Sequence, residues 1–229
     1  MFFSSTYLIY MVPAFILMAL TSWYVKSAYK KWSRVQTSSK LTGAQAAQQL
    51  MSAGNLYGVQ IQGTAGNLTD HYDPRNKTLF LSQGVANVAS VASVAIAAHE
   101  LGHAMQDAED YFPLRFRSAL VPIVNIGSNL GWILIMIGLF LRFTELSWLG
   151  VIVFAGGAVF ALATLPVEFN ASARAKQLLV QTGIIQTDEE QRGVNAVLNA
   201  AALTYVAGLV TAILQLLYYV SLVSGGRRR

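Results

Sequence analysis

Two of the three histidines in this 229-residue chain stand four positions apart around a glutamate, in His99-Glu100-Leu101-Gly102-His103. On a helix, four residues make about 400° of rotation, so the two imidazoles differ by only about 40° and project one turn apart. That geometry offers two neutral nitrogen donors to adjacent corners of a tetrahedral zinc. Glu100 falls about 100° from His99 and about 60° from His103, near the metal without competing for it. From there it can hold a water at the metal and accept its proton, the general-base role. The preceding residues, Val88 to Ala98, are apolar on every face. The motif therefore belongs in a core, where an unpaired histidine or glutamate would be costly.

A catalytic zinc takes a third protein ligand and keeps one position open. Cysteine is absent, which excludes disulfides, thiol catalysis and thiolate ligands, and leaves nitrogen and oxygen donors. His71 and every acid qualify by type. Glu168 is the best placed, at the end of a long apolar stretch in Pro166-Val167-Glu168-Phe169-Asn170-Ala171-Ser172. A carboxylate beside a membrane span needs a partner; the alternative is a helix-start carboxylate favoured by the macrodipole. Asp107 lies one further turn along the His99–His103 face. It either orients a histidine from behind or is a solvated charge in Asp107-Ala108-Glu109-Asp110.

The elements that position these residues follow from composition. Hydrophobic residues make up 54% of the chain and charged ones 12%, about half the charge of a soluble domain. Four uncharged stretches, Met1 to Val25, Ser118 to Leu141, Leu146 to Val167 and Gly193 to Gly226, each reach the roughly 20 residues that cross a bilayer as a helix. Lys26, Lys30, Lys31, Arg34 and Lys40 follow the first, which reads as an uncleaved anchor with its N-terminus outside. Twelve of the sixteen Lys and Arg residues fall in the polar segments about 25–117 and 166–202, against Arg142 and Arg227-Arg228-Arg229 opposite. The polar segments are therefore expected in the cytoplasm. The tri-arginine tail runs against this count and keeps a three-span alternative open, with the last segment lying in the interface.

The expected organisation is a transmembrane anchor at 1–25, a cytoplasmic segment at 26–117 carrying the motif helix, and a transmembrane hairpin at 118–165. A second cytoplasmic segment at 166–202, a transmembrane helix at 203–226 and a basic tail at 227–229 complete it. Thr42-Gly43-Ala44-Gln45 predicts a capping box and a helix to Ala53, closed by Gly54. Tyr57 to Ile61 alternates like a strand, and residues 70–82 predict a hairpin turning at Asp73-Pro74-Arg75-Asn76. A long helix is expected from Val85 to about Asp107. Leu79-Phe80-Leu81 is either an edge on which an extended peptide adds or part of an ordinary packed hairpin. His71, Tyr72 and Arg174 are candidates for stabilising an oxyanion or binding substrate, each with a structural alternative; for Arg174 it is an ion pair. In the second span, Asn125 and Asn129 suit interhelical hydrogen bonds.

Several linked segments carry a family resemblance. They are Thr69-Asp70-His71-Tyr72-Asp73-Pro74-Arg75, Ala97 through Ala104, Arg117-Ser118-Ala119-Leu120-Val121-Pro122 and Leu165 through Ser172. On these the chain resembles the YugP-like bacterial membrane neutral zinc metallopeptidases over nearly its whole length. A more distant likeness runs to the HtpX-type and CAAX-prenyl membrane metalloproteases, in which the glutamate of Glu-Phe/Tyr-x-Ala-Asp is the third zinc ligand. That resemblance assigns the role to Glu168. It also places Ser172 where those relatives have an aspartate behind a zinc-bound histidine, and a hydroxyl orients an imidazole more weakly.

The resemblance implies a mainly α membrane protein of about four transmembrane helices with a small α+β, gluzincin-like H-E-x-x-H metallopeptidase domain. It implies an integral-membrane zinc metalloendopeptidase holding one Zn2+ per chain, cutting membrane or misfolded proteins. The expected location is the bacterial cytoplasmic (inner) membrane, multi-pass, with the site facing the cytoplasm. The partners are the lipid bilayer and a peptide or membrane-protein substrate, with a membrane-protein adaptor or a homo-oligomer left open. No nucleic-acid module is visible, and the basic residues after the first span serve topology or anionic lipid. Two alternatives stand beside this: proteolysis inside the bilayer, and a non-catalytic quality-control adaptor or scaffold with a structural metal.

Overall fold

The computed structural model describes residues 4–225; the tri-arginine tail at 227–229 lies outside the described residues. In chain order the elements are α1 (Ser5–Trp32), α2 (Gly43–Ala53), β1 (Gln60–Thr64), β2 (His71–Asp73) and β3 (Thr78–Ser82). They continue with α3 (Gln83–Ala86), α4 (Val91–Ala108), α5 (Phe112–Phe140), α6 (Thr144–Gln181) and α7 (Asp188–Gly225). The chain is a mainly α membrane protein, and α1, α5, α6 and α7 are long and apolar enough to cross a bilayer. All four overrun their apolar stretches: α1 runs on to Trp32, and α5 begins at Phe112. Helix α6 continues through Pro166 to Gln181, and α7 begins well before its own apolar stretch, at Asp188.

The described residues form two compact units. One contains 4–22, 115–166 and 204–225. Within it α5 and α6 approach through glycines: a Cβ on Gly131 would lie 2.8 Å from Phe154 N, and one on Gly150 would lie 2.7 Å from Gly131 O. Small residues at such a crossing give the van der Waals contact that associates helices in lipid. Met11, Ile135, Val151, Tyr218, Tyr219 and Val223 form the core of this unit.

The other unit contains Trp23–Leu114 and Val167–Leu203, with α4 at its centre. Val91, Val94, Ala98 and Leu101 of α4 are fully buried, in one cluster with Leu50 of α2, Leu79 and Leu81 of β3, Leu179 of α6 and Leu198 of α7. From Ser90 the run before the motif is apolar on every face because folded protein covers it; Val88, before α4 begins, is exposed.

Local chemistry accounts for the smaller elements. The capping box forms, with Gln45 N donating to Thr42 Oγ1 at 3.3 Å and Thr42 N donating to Gln45 Oε1 at 3.0 Å. The strand expected at 57–61 starts at Gln60 instead, because the chain is still leaving α2. Asn55 is left-handed (φ 55°) and Leu56 N donates back to Met51 O. The helix expected from Val85 is broken in two. Asn87 ends α3, and Ser90 restarts the chain by capping Ser93 N at 3.2 Å. The hairpin of β2 and β3 forms, but β1 pairs parallel to β3, giving the order β1-β3-β2. Leu79-Phe80-Leu81 is thus the central strand with both backbone sides taken, not an edge.

Glu190 fastens the unit's outer turns. Its carboxylate accepts backbone N–H bonds from Ser38, which follows α1, and from Gln186 and Thr187, which precede α7. Glu190→Ala should leave those donors without their acceptor, at a cost of about 1–3 kcal/mol for each that stays buried. Hydrogen exchange at Ser38, Gln186 and Thr187 should accelerate; unchanged protection would show that the carboxylate is not the clasp.

Candidate metal centre

Helix α4 presents His99 and His103 one turn apart, their rings edge-on at 82° with centroids 4.9 Å apart. Facing them is Glu168, which is 3% exposed. Its Oε2 lies 3.3 Å from His99 Nε2 and 3.5 Å from His103 Nε2. Glu168 lies inside α6, so the helix-start explanation of its charge does not apply.

The approach of α4 to α6 rests on Gly102. A Cβ there would sit 2.5 Å from the carbonyl oxygen of Ala171 and 3.0 Å from its Cα. Any side chain would push α6 away from α4. Glu168 lies one turn before Ala171, so it is carried to the histidines by this contact.

The second nitrogen of each imidazole is engaged. His99 Nδ1 is 3.1 Å from Ser172 Oγ, and His103 Nδ1 is 3.0 Å from Gln106 Oε1. An amide oxygen only accepts, so His103 carries its proton on Nδ1 and turns an unprotonated Nε2 toward Glu168. Ser172 stands behind His99 with a hydroxyl, which can donate or accept. Gln106 is itself fixed, donating from Nε2 to Val167 O at 2.8 Å and to Asn170 Oδ1 at 2.9 Å.

The three groups fit a metal ion. Glu168 Oε2 is buried without a hydrogen-bond partner, and its separations from the imidazoles exceed those of a charge-assisted hydrogen bond. Zinc bonds of about 2.0–2.1 Å put neighbouring tetrahedral donors about 3.3 Å apart, which matches the spacing seen. One donor atom from each of the three residues lies within 4.8 Å of the others. Burial disfavours charge on His103, but the neighbouring Glu168 carboxylate outweighs it and raises the imidazole pKa. The cluster thus attracts positive charge. Glu100 is also on α4, and burial raises its carboxyl above the ordinary range, against the pull of His99 and His103. Its carboxylate is accordingly a stronger base than one in water.

Other candidate residues are placed differently. Asp107 does not reach a histidine; it accepts a bond from the Tyr72 hydroxyl at 2.9 Å, and Gln106 takes the place behind His103. Burial, then Asp107, pushes the Tyr72 phenol up, so it keeps its proton and donates it in a hydrogen bond to that carboxylate. His71 is exposed on β2, stacked 4.7 Å from Phe80, and is not part of the cluster. Arg174 is committed elsewhere, paired with Glu109 through both terminal nitrogens at 2.7 Å and donating from Nε to Asn170 Oδ1 at 2.7 Å. It is not free to receive an oxyanion. The residues that sequence reasoning missed are Gln106, Asn170 and Gly102. Gln106 had one visible signal, its position three residues after His103 on the same helix face.

Comparison with known proteins agrees with this chemistry. Residues 7–224 match a family described as "Putative neutral zinc metallopeptidase". The "Putative membrane protease YugP" of Bacillus subtilis (strain 168) is 43% identical over 203 residues, covering 89% of this chain and 90% of that protein. No solved structure matches the chain.

Two substitutions test the geometry through metal affinity. Gly102→Ala should introduce overpacking of about 1–3 kcal/mol between α4 and α6 and weaken zinc binding. Gln106→Ala should weaken zinc about 10- to 100-fold by freeing the His103 ring. Competition with a chromogenic chelator reads both. Wild-type affinity in Gly102→Ala would show that the backbone contact does not set the site.

Proposed function

The chain belongs to this family of neutral zinc metallopeptidases, and from that premise we propose that it is an integral-membrane zinc metalloendopeptidase. The observation that carries the proposal is the set of three buried donors, His99, His103 and Glu168, spaced for one ion beside the basic carboxylate of Glu100. The family match and the membrane protease relative support the same class.

In this reading His99, His103 and Glu168 hold one zinc per chain. When bound, the ion supplies Lewis acidity toward the scissile carbonyl and lowers the pKa of water. Glu100 takes the proton from the attacking water and then delivers it to the departing amine. Ser172 and Gln106 keep the imidazole planes fixed and hold the Nδ1 protons, so both Nε2 lone pairs stay directed at the ion.

The substrates are peptide bonds of membrane or misfolded proteins, and the site faces the cytoplasm of a bacterial inner membrane. Lys26, Lys30, Lys31, Arg34 and Lys40 after α1's apolar stretch support that orientation. Helix α4 is buried by α2, α3, the sheet and parts of α6 and α7, which supports a site beside the bilayer over one within it.

Glu100→Gln should keep zinc and lower hydrolysis of an unfolded membrane protein by about 10²–10⁴-fold. Glu168→Ala should lose zinc and activity together. Metal content and cleavage are measured on the full chain in lipid nanodiscs. Undiminished cleavage by Glu100→Gln sinks the mechanism; zinc retained at full affinity by Glu168→Ala sinks the ligand set.

A further inference from the structure

The spanning unit holds a cavity of about 340 Å³ walled by α1, α5 and α7. Met11 and Met18 line it from α1, Trp132 and Met136 from α5, and Thr211 and Gln215 from α7. These positions fall in the middle parts of their apolar stretches, which puts the cavity near mid-bilayer depth.

An apolar cavity at that depth would simply admit lipid tails, but the wall of this one is partly polar. The Thr211 hydroxyl is buried and has no hydrogen-bond partner among the described residues. Elsewhere in the spans Thr21 and Thr164 donate to the carbonyl one turn back, at 2.9 and 2.8 Å. Thr211 lines the cavity with its hydroxyl covered and unpaired among the described residues. Gln215 lies one turn further along α7. It lines the cavity beside Tyr219, and its amide offers both donor and acceptor capacity there.

The polar character continues beyond the cavity. On α5, Asn125, Asn129, Trp132 and Met136 recur at spacings of four, three and four, which keeps them on one stripe. Both asparagines are exposed, and among the described residues the Asn129 amide donates to the Asn125 carbonyl at 3.2 Å. A Cβ added to Gly208, one turn before Thr211, would meet no atom within 4 Å, so that face of α7 is also open.

Acyl chains cannot satisfy these groups, and lipid headgroups that could do so lie at the interface rather than at this depth. A polypeptide crossing the bilayer brings hydrogen-bonding groups to mid-depth when it carries an amide or hydroxyl side chain there. We propose that this cavity receives a polar side chain presented at mid-depth by a transmembrane segment of the protein to be cleaved, and so selects segments that carry one. The proposal rests on the reading of the chain as a membrane protease. It adds a recognition step that uses residues of the spanning helices, apart from the metal ligands.

The absence of cysteine makes the test direct, since Met136→Cys places a single thiol in the cavity wall. The full chain carrying Met136→Cys and Glu100→Gln is reconstituted with a single-span test protein and oxidised with copper phenanthroline. The test segment is polyleucine with one cysteine and either Asn or Leu at its centre. The disulfide yield should be higher with Asn by about threefold to tenfold, the range of one interhelical hydrogen bond in a bilayer. That preference should vanish in a Thr211→Val, Gln215→Leu variant whose zinc content matches the parent. Equal yields for the Asn and Leu segments overturn the proposal without requiring any variant to fold. Disulfides between two copies of the chain in place of the test segment also overturn it, as does a lipid that the Asn segment fails to displace in native mass spectrometry. Cross-linking needs no cleavage, so a zinc-loaded wild type that hydrolyses nothing counts against the protease reading alone.

Discussion

The contact between Gly102 of α4 and the backbone of Ala171 in α6 determines what else is possible here. Helices ordinarily pack with axes 8–10 Å apart, held off by side chains. Removing one side chain at the crossing lets backbone meet backbone, and a short carboxylate one turn away then reaches two imidazoles on the other helix. The same approach lets Gln106 touch a carbonyl of α6, at Val167, and lets Ser172 meet His99. The three clustered donors and their supports are consequences of one close crossing.

Behind the ligands, the two histidines are held by different means. Ser172 presents to His99 a hydroxyl that could equally donate or accept, whereas Gln106 presents to His103 an oxygen that only accepts. Gln106 is in turn tied to Asn170, which is tied to Arg174, whose charge is answered by Glu109. One imidazole is thus fixed by a chain of groups reaching the surface and the other by a single hydroxyl. The two Nε2 positions are not equivalent, although the sequence motif makes them look so.

Much of the site was legible because it depends on periodicity. His99, Glu100 and His103 follow from the pitch of a helix, and Glu168 from its place at the end of an apolar stretch. The four long helices followed from charge-free length alone. What escaped depends on contacts between segments distant in the chain. Nothing near Gly102 announces Ala171, and nothing near Asn170 announces Gln106. Asp107 had the right helical face, but Tyr72 from β2 claimed its carboxylate. Arg174 had the right charge, but Glu109 lay opposite. The central place of Leu79-Phe80-Leu81 depends on β1, a partner that the local hairpin pattern does not encode. Even local misreadings have a cause: Asn55 and Ser90 reset the chain direction within stretches whose hydrophobicity runs on without a break.

The position of the ligands along the chain also has a consequence for biosynthesis. His99 and His103 precede α5, and Glu168 comes only after the α5–α6 hairpin has been made. A nascent chain that has emerged as far as α4 has both imidazoles and Glu100 but lacks Glu168. Closing the cluster requires the hairpin to be synthesised and its returning helix to dock against Gly102. A chain assembled in this order lacks the three-donor cluster until α6 has been made, and the last parts of that cluster arrive with the helix whose apolar stretch precedes them.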